Sequence, residues 1–256
     1  MARKPIRRVS GTVPSASRLP GRLEGKLAVV TGASRGIGLA IATALAAEGC
    51  DLALLARTSL RADAEALVRS AGVRVVAREC DVRDARQVES FFSAIKKHFP
   101  RVHFLVNNAG RSHAVHDTDQ IPVEDWDDVL ATNLRGMFLC TRAALPLMGE
   151  GSVIVNNLSV AARTVFAGES AYVASKWGAR GFTNCLREEL RPRGIRVLGL
   201  MPGPTATGIW EQFWPEAPRE KMMDAATVAD AVVHALTLPP ESAIEEIVLG
   251  PSAGEL

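Results

Sequence analysis

Short apolar runs alternate along the chain with longer segments of helical spacing. A continuous apolar run predicts a strand buried on both faces, whereas apolar residues at i, i+3 and i+4 predict an amphipathic helix. The predicted strands are residues 27–31, 51–56, 74–80, 104–107, 152–158, 195–201 and 246–249. The predicted helices are residues 36–48, 60–71, 84–99, 123–148, 177–190 (entered from 172) and 227–237. This alternation predicts an α/β fold, a doubly wound parallel sheet of about seven strands with helices on both faces.

Composition supports a globular protein and removes several other classes. The 256 residues are 47% hydrophobic and 23% charged, which is ordinary for one α/β domain, and we assign residues 23–256 to it. Thirty basic residues against 28 acidic ones give no electrostatic basis for binding nucleic acid. No apolar run reaches the ~20 residues of a membrane span, so no membrane partner is predicted.

The first 22 residues differ in composition from the rest of the chain. They hold six arginine and lysine residues, no acid and several prolines and glycines, so we expect a basic tail without regular structure. No apolar core of a secretory signal is present, although import into an organelle through this tail stays open. The four cysteines are scattered without metal-binding spacing. We therefore expect a cytoplasmic protein with no metal site.

A glycine-rich turn joins the first predicted strand to the first predicted helix. Glycines allow close backbone approach, and a helix N-terminus presents free N–H groups to an anion such as a dinucleotide pyrophosphate. The segment after the second strand distinguishes the two nicotinamide dinucleotides. It carries no acid for a ribose 2′-hydroxyl but places Arg57 there, and Arg35 lies in the turn, so NADP is predicted and NAD is less favoured.

Tyr172 and Lys176 are the second chemical feature. Tyr172 is the only tyrosine in the chain, and residues four apart on a helix share a face. A neighbouring cation and a helix N-terminus both stabilise a phenolate, so we expect the pKa of the phenol to fall from its usual ~10 toward neutrality. Such a phenol serves as a general acid or base. The alternative is a buried aromatic residue beside a surface lysine.

Five motifs in order make the chain resemble the short-chain dehydrogenase/reductase family, in its compact single-domain branch with a Rossmann fold. These motifs are residues 31–38, 81–82, 107–110, 172–176 and 202–203. The resemblance implies a catalytic set of Asn133, Ser159, Tyr172 and Lys176. It also implies a cofactor site of Gly32, Ser34, Arg35, Gly36, Ile37, Gly38, Arg57, Asp81, Val82, Asn108, Ala109, Gly110, Tyr172, Lys176, Pro202, Gly203 and Thr205. Thr207 is a second candidate for the contact of Thr205 with the nicotinamide carboxamide.

The resemblance further implies an NADP-dependent oxidoreductase that interconverts a ketone and a secondary alcohol of small size. In this mechanism Tyr172 is the acid/base, Ser159 polarises the carbonyl, Lys176 binds the cofactor ribose and lowers the pKa of the phenol, and Asn133 holds a water. It also implies a homodimer or homotetramer formed through the helices of Asn133 and Tyr172. The alternative function is a catalytically silent NADP-binding sensor or scaffold.

Residues 205–226 are expected to form a lid over the substrate. Trp210, Phe213 and Trp214 suggest an apolar or ring-bearing substrate, but they fit packing into the domain or a subunit interface equally well. Contact of Arg111, His113, Arg163 or Phe166 with substrate is left open in the same way. Residues 238–240 and 244–251 resemble the 3-hydroxy acid dehydrogenase subgroup more than the 3-oxoacyl reductases, and both substrate types remain candidates.

Overall fold

A computed structural model describes residues 21–59, 66 and 71–254. The strands are β1 (Leu27–Thr31), β2 (Asp51–Ala56), β3 (Val75–Glu79), β4 (Phe104–Asn107), β5 (Val153–Asn157), β6 (Arg196–Pro202) and β7 (Glu246–Leu249). The helices are α1 (Gly36–Ala47), α2 (Ala85–His98), α3 (Val123–Leu130), α4 (Gly136–Ala144), α5 (Ser170–Leu190) and α6 (Ala225–Leu236). Most of the predicted helix at residues 60–71 and most of the predicted tail lie outside the described residues.

The strands form one parallel sheet in the order β3-β2-β1-β4-β5-β6-β7. This confirms the doubly wound fold and its seven strands. The chain leaves β1 toward one edge and returns to its other side at β4. The crevice at this reversal, outside the carboxyl ends of the strands, is where open α/β sheets bind ligands.

Two apolar cores cover the two faces of the sheet. Along β1, Ala28 and Val30 face the core that holds α1 and α6, whereas Leu27 and Val29 face the core that holds α2. Every residue of β1 is buried, as expected for a central strand covered by helices on both sides. These two cores fix the carboxyl ends of the strands, and therefore the loops that follow them.

The helix predicted over residues 123–148 is not continuous, so that expectation is wrong. A π-helical turn, Ala131–Arg135, separates α3 from α4, and a short 3-10 turn follows α4. Side-chain packing accompanies the interruption: Asn133 is buried, and a Cβ added to Gly136 would lie 2.7 Å from Val82 Cγ2. Turns of this kind occur often at functional sites.

Candidate active site

The glycine-rich turn follows β1 and is shaped by close backbone contacts. Gly32 has φ 64°, and a Cβ added there would lie 2.8 Å from the Cα of Ala109. A Cβ on Gly38 would overlap the carbonyl oxygen of Gly32. Side chains in this turn would therefore force the loops after β1 and β4 apart. The geometry fits the close approach that a pyrophosphate needs at a helix N-terminus.

Hydrogen bonds tie the loop after β4 to the end of β1. The backbone N–H groups of Asn108 and Ala109 donate to Thr31 Oγ1 at 2.9 and 2.8 Å. Asn108 Nδ2 also donates to the carbonyl oxygen of Thr31 at 3.1 Å. Asn108 thus has a clear structural role in bracing the turn, in addition to lining the cavity.

Beyond β2, Arg57 is exposed and, within the described part of the chain, has no ion-pair partner. Asp81, which follows β3, is different because Arg83 pairs with it at 2.7 Å. This pairing lowers the pKa of the Asp81 carboxyl, and Arg57 contributes more weakly from a distance. Arg57 is therefore the cation with room to bind a phosphate, while Asp81 is already occupied.

Tyr172 and Lys176 lie one turn apart near the start of α5, as predicted. Lys176 is buried, and its Nζ lies 5.6 Å from the centroid of the phenol ring and donates to the carbonyl oxygen of Asn157 at 2.8 Å. Burial raises the pKa of Tyr172 to about 12 and lowers the pKa of Lys176 to about 8. The expected fall in the pKa of the phenol is therefore not found for the protein alone, because loss of hydration outweighs the hydrogen bond with Ser159, which lowers the pKa.

Ser159 follows β5 and has a strained backbone. Its φ of 64° is positive, which is uncommon for a residue with a side chain and recurs at ligand sites. Its Oγ accepts from the N–H of Ala161 at 3.3 Å and is near enough to Tyr172 to lower the pKa of the phenol, a smaller effect than burial. The serine hydroxyl and the phenol therefore face the same space.

Asn133 sits in the π-helical turn and makes three hydrogen bonds. Its Oδ1 accepts from the N–H of Arg111 at 2.9 Å, and its Nδ2 donates to the carbonyl oxygen of Arg111 and to Ser175 Oγ, each at 2.9 Å. Both N–H donors of the Asn133 amide are therefore used, whereas Oδ1 can accept one more hydrogen bond, for example from the water that the resemblance implied.

The predicted site residues converge on one cavity of about 1300 Å³ at the carboxyl ends of the strands. All of them line it except Gly38 and Asn133, which lie directly behind the lining. This volume exceeds the ~300–1,000 Å³ typical of a single small-ligand pocket, so it suits a dinucleotide together with a substrate. Within the described residues, no cluster of three potential metal ligands is found, and no helix is long and apolar enough to cross a bilayer.

Residues of the predicted lid form one wall of this cavity. Trp210 packs against both other aromatic residues, with its ring centroid 4.7 Å from that of Phe213 in a tilted arrangement and 6.2 Å from that of Trp214 in an edge-on arrangement. Trp210 Nε1 donates to the carbonyl oxygen of Thr205 at 2.8 Å, which anchors this aromatic group. Thr205 is itself buried, and its hydroxyl donates to the carbonyl oxygen of Gly203 at 2.9 Å.

The four further side chains considered for substrate contact differ in whether a ligand can reach them. Arg111 lines the cavity, but its guanidinium pairs with Asp125 at 3.2 Å and with Asp128. His113 is buried outside the lining, with Nδ1 2.6 Å from the carbonyl oxygen of Ala114. Arg163 and Phe166 both line the cavity and are exposed. Only the last two have side chains available to a ligand.

Glu169 is a site residue that the sequence reasoning missed. It precedes α5 and lines the cavity, yet its side chain is only 8% exposed. Burial raises the pKa of its carboxyl to about 7. A glutamate three residues before the tyrosine was the available signal, but an acid at a helix start is more often a solvated or capping residue.

The fold and the cavity together define a Rossmann-type α/β domain with a nucleotide-sized site at its topological switch point. The family model for short chain dehydrogenases matches residues 26–218. The chain therefore belongs to the short-chain dehydrogenase family.

Curated relatives and solved structures agree with this assignment. The chain is 39% identical over 204 residues to D-threitol dehydrogenase from Mycolicibacterium smegmatis, covering 77% of this chain and 76% of that one. It is 35% identical over 246 residues to a glycine betaine reductase from Emericella nidulans, covering 90% of this chain but only 19% of that longer protein. It is also similar to an alcohol dehydrogenase from Thermococcus sibiricus solved with 5-hydroxy-NADP, with TM-score 0.82, 30% identity and coverage of 90% and 98%.

Proposed function

We propose that this protein is an NADP-dependent oxidoreductase that interconverts a ketone and a secondary alcohol. The observation that carries the proposal is the placement of Tyr172 and Lys176 in the same cavity as the glycine-rich turn and Arg57. A proton donor and a dinucleotide-sized cradle are thus brought to one site. The archaeal structure with 5-hydroxy-NADP supports the choice of cofactor.

Cofactor selection follows from charge at the end of β2. Arg57 and Arg35 offer two guanidinium groups that line the cavity, and guanidinium binds phosphate in a bidentate manner. Asp81 is neutralised by Arg83, so it neither repels a 2′-phosphate strongly nor offers a free acceptor to a 2′-hydroxyl. Both features favour NADP over NAD.

The chain's own residues position the substrate and handle its proton. When bound, the nicotinamide cofactor supplies or accepts the hydride. Ser159 and Tyr172 donate hydrogen bonds to the carbonyl oxygen and polarise it. A phenol with a pKa of about 12 is protonated at neutral pH, so Tyr172 holds the proton that a forming alkoxide requires.

Lys176 assists this proton transfer without taking part in it directly. Its Nζ lies next to Gly110, 3.7 Å from a Cβ built there, and is held by Asn157. From this place it binds ribose hydroxyls and stabilises negative charge on the phenol as the proton leaves. Asn133 fixes the loop of Arg111 beneath the site, so it acts as a positioning residue.

The activities named for these relatives differ, so they do not select one substrate. D-threitol is a polyol and glycine betaine is a zwitterion with a quaternary ammonium and a carboxylate, and the 3-hydroxy acid and 3-oxoacyl types suggested by the C-terminal sequence are different again. We propose only a small carbonyl or alcohol substrate that fits beneath the aromatic wall of Trp210, Phe213 and Trp214.

Self-association through α3, α4 and α5 is part of the proposal. Trp126, Phe138 and Trp177 lie on these helices and are 37%, 44% and 48% exposed, which is unusual for large apolar side chains. A dimer or tetramer that packs these helices together would bury them. Sedimentation equilibrium of the purified chain distinguishes both assemblies from a monomer.

The test of the enzymatic proposal is oxidation of NADPH with a panel of ketones and 3-oxo esters. Tyr172→Phe removes one oxygen atom and should reduce turnover by about 10²–10⁴-fold while NADPH binding is retained. Turnover by the variant at the wild-type rate would contradict the role of Tyr172. Tight NADPH binding without turnover on the whole panel would favour the sensor or scaffold instead.

A further inference from the structure

Glu169 is a buried residue whose carboxylate the proposed reaction does not use. It occupies the N-cap position of α5, with φ −119° and ψ 34°, but its side chain makes no capping hydrogen bond. Within the described part of the chain, the carboxylate has no hydrogen-bond or ion-pair partner at all. The carboxylate oxygens are not among the fully enclosed unpartnered atoms, so they open on the cavity that Glu169 lines, where a ligand can supply the missing partner.

The backbone around Glu169 is held in place, so the side chain does not reach the cavity by chance. The N–H of Glu169 donates to Phe166 at 3.2 Å, and its carbonyl oxygen accepts from Val173 at 2.9 Å. The preceding Gly168 has φ 80° and accepts a hydrogen bond from the N–H of His116 at 3.1 Å. These contacts seat the start of α5 against residues 115–116 and direct Glu169 inward.

The charges around Glu169 leave room for one more cation. Lys176 donates to Asn157 and is assigned to the cofactor ribose, and Arg111 pairs with Asp125 and Asp128. Arg163 lines the cavity as an exposed side chain without an ion pair among the described residues. Burial raises the pKa of the Glu169 carboxyl to about 7, and no nearby cation counteracts it.

The remaining walls suit a cation as well. Phe166, Trp210 and Trp214 line the same cavity, and aromatic faces attract ammonium groups. A neutral hydroxyl can also donate a charge-assisted hydrogen bond to the carboxylate, but only a cation compensates its charge in a poorly hydrated site. An acidic substrate would be repelled.

We propose that Glu169 is a specificity-determining residue that binds an ammonium group on the carbonyl substrate. The inference rests on the proposed oxidoreductase function and narrows its substrate class to amino ketones and the corresponding amino alcohols. Glu169 and Tyr172 are three residues apart at the start of one helix, where such neighbours have Cβ atoms about 5–6 Å apart. The ammonium nitrogen should therefore be separated from the carbonyl carbon by two or three methylene groups.

The experiment compares matched methyl ketones with NADPH as reductant. One carries a dimethylammonium group two or three carbons from the carbonyl, and its partner carries an isopropyl group of the same shape. The wild-type protein should prefer the ammonium ketone by about 10-fold or more in kcat/KM, mainly through KM, as one charge-assisted hydrogen bond allows. Glu169→Gln should reduce this preference to within about twofold.

A control and a second readout separate the possible failures. Glu216→Gln removes an exposed carboxylate of the lid that does not line the cavity, and should leave the preference unchanged. Glu169→Asp keeps the charge on a shorter side chain and should retain a preference, which covers the case in which the glutamine variant does not fold. Calorimetric titration with the dimethylammonium alcohol measures binding without turnover.

Equal kcat/KM for the two ketones in the wild type would overturn the assignment of Glu169, as would a preference that survives in Glu169→Gln. In either case the reduction of ketones would still stand. If neither ketone is reduced, the proposed oxidoreductase function fails for these compounds, and the titration decides the role of Glu169. If the titration shows no binding of the dimethylammonium alcohol, the assignment of Glu169 is overturned.

Discussion

Gly32→Ala tests whether close backbone approach at the glycine-rich turn is required for cofactor binding. Two costs arise from the structure. A side chain at φ 64° costs about 1–2 kcal/mol, and a Cβ 2.8 Å from the backbone Cα of Ala109 adds about 1–3 kcal/mol of overlap. The free energy of unfolding should therefore fall by about 2–5 kcal/mol, which lowers Tm by about 4–20 °C.

Gly25→Ala is the matched control for this variant. Gly25 has φ 74°, but a Cβ added there meets nothing within 4 Å. The free energy of unfolding of Gly25→Ala should therefore fall only by the conformational cost of about 1–2 kcal/mol. Its Tm should fall by about 2–8 °C, and its NADPH binding should be unchanged. The difference between the two variants isolates the overlap between the loops after β1 and β4.

Thermal unfolding and NADPH titration, both done on each variant, provide the comparison. If the overlap is relieved by separating the two loops, cofactor and substrate are misplaced by a fraction of an ångström, which should lower kcat/KM by about 100-fold. The reasoning is refuted if Gly32→Ala binds NADPH like the wild type and loses no more stability than Gly25→Ala. The turn would then tolerate side chains, and its glycines would have no bearing on the cofactor.

Three further predictions concern charge and protonation. Arg57→Ala should weaken NADPH binding by about 10-fold or more and leave NADH binding unchanged, whereas Arg191→Ala, which removes an exposed partner of Glu188, should change neither. Ultraviolet titration should find the pKa of Tyr172, the only tyrosine, at about 12 in the protein without cofactor, and a value near 7 would contradict the dominance of burial. Burial lowers the pKa of His103 to about 4, so the unfolded chain binds more protons below pH 6.5 and the free energy of unfolding should fall as pH drops from 6.5 toward 4. His103→Gln should remove that part of the loss in urea titrations, and an unchanged pH slope would show that His103 is not its source.

Sequence patterns located the strands closely because each central strand is a continuous apolar run. The predicted bounds of β1, β2 and β4 coincide with the structure, and α2 begins after Asp84, whose carboxylate caps it. The break in the long helix was not predictable, since Asn133 has ordinary helical neighbours in sequence. Its partners Arg111 and Ser175 are remote in the chain, and only the fold brings them together.

The candidate site shows the same division between local and remote causes. Residue types and spacing placed Tyr172, Lys176 and Arg57 at one cavity, since the carboxyl ends of parallel strands meet. They did not give the direction of the shift in the pKa of Tyr172, because burial by the surrounding fold determines it. Glu169 was missed because its burial is a property of the fold, in which the preceding Gly168 accepts a hydrogen bond from His116, a residue remote in the chain.

The order of strands in the sheet also constrains how the protein is made. The N–H of Leu27 at the start of β1 donates to His103 Nδ1, 76 residues later in the chain. A nascent chain that ends after β3 therefore exposes an unpaired edge of β1, which is open to aggregation until β4 has left the ribosome. Pairings of such long range are slow to form. Because the cavity also needs β5 and β6, catalytic activity during refolding should appear late, well after helical circular dichroism has recovered.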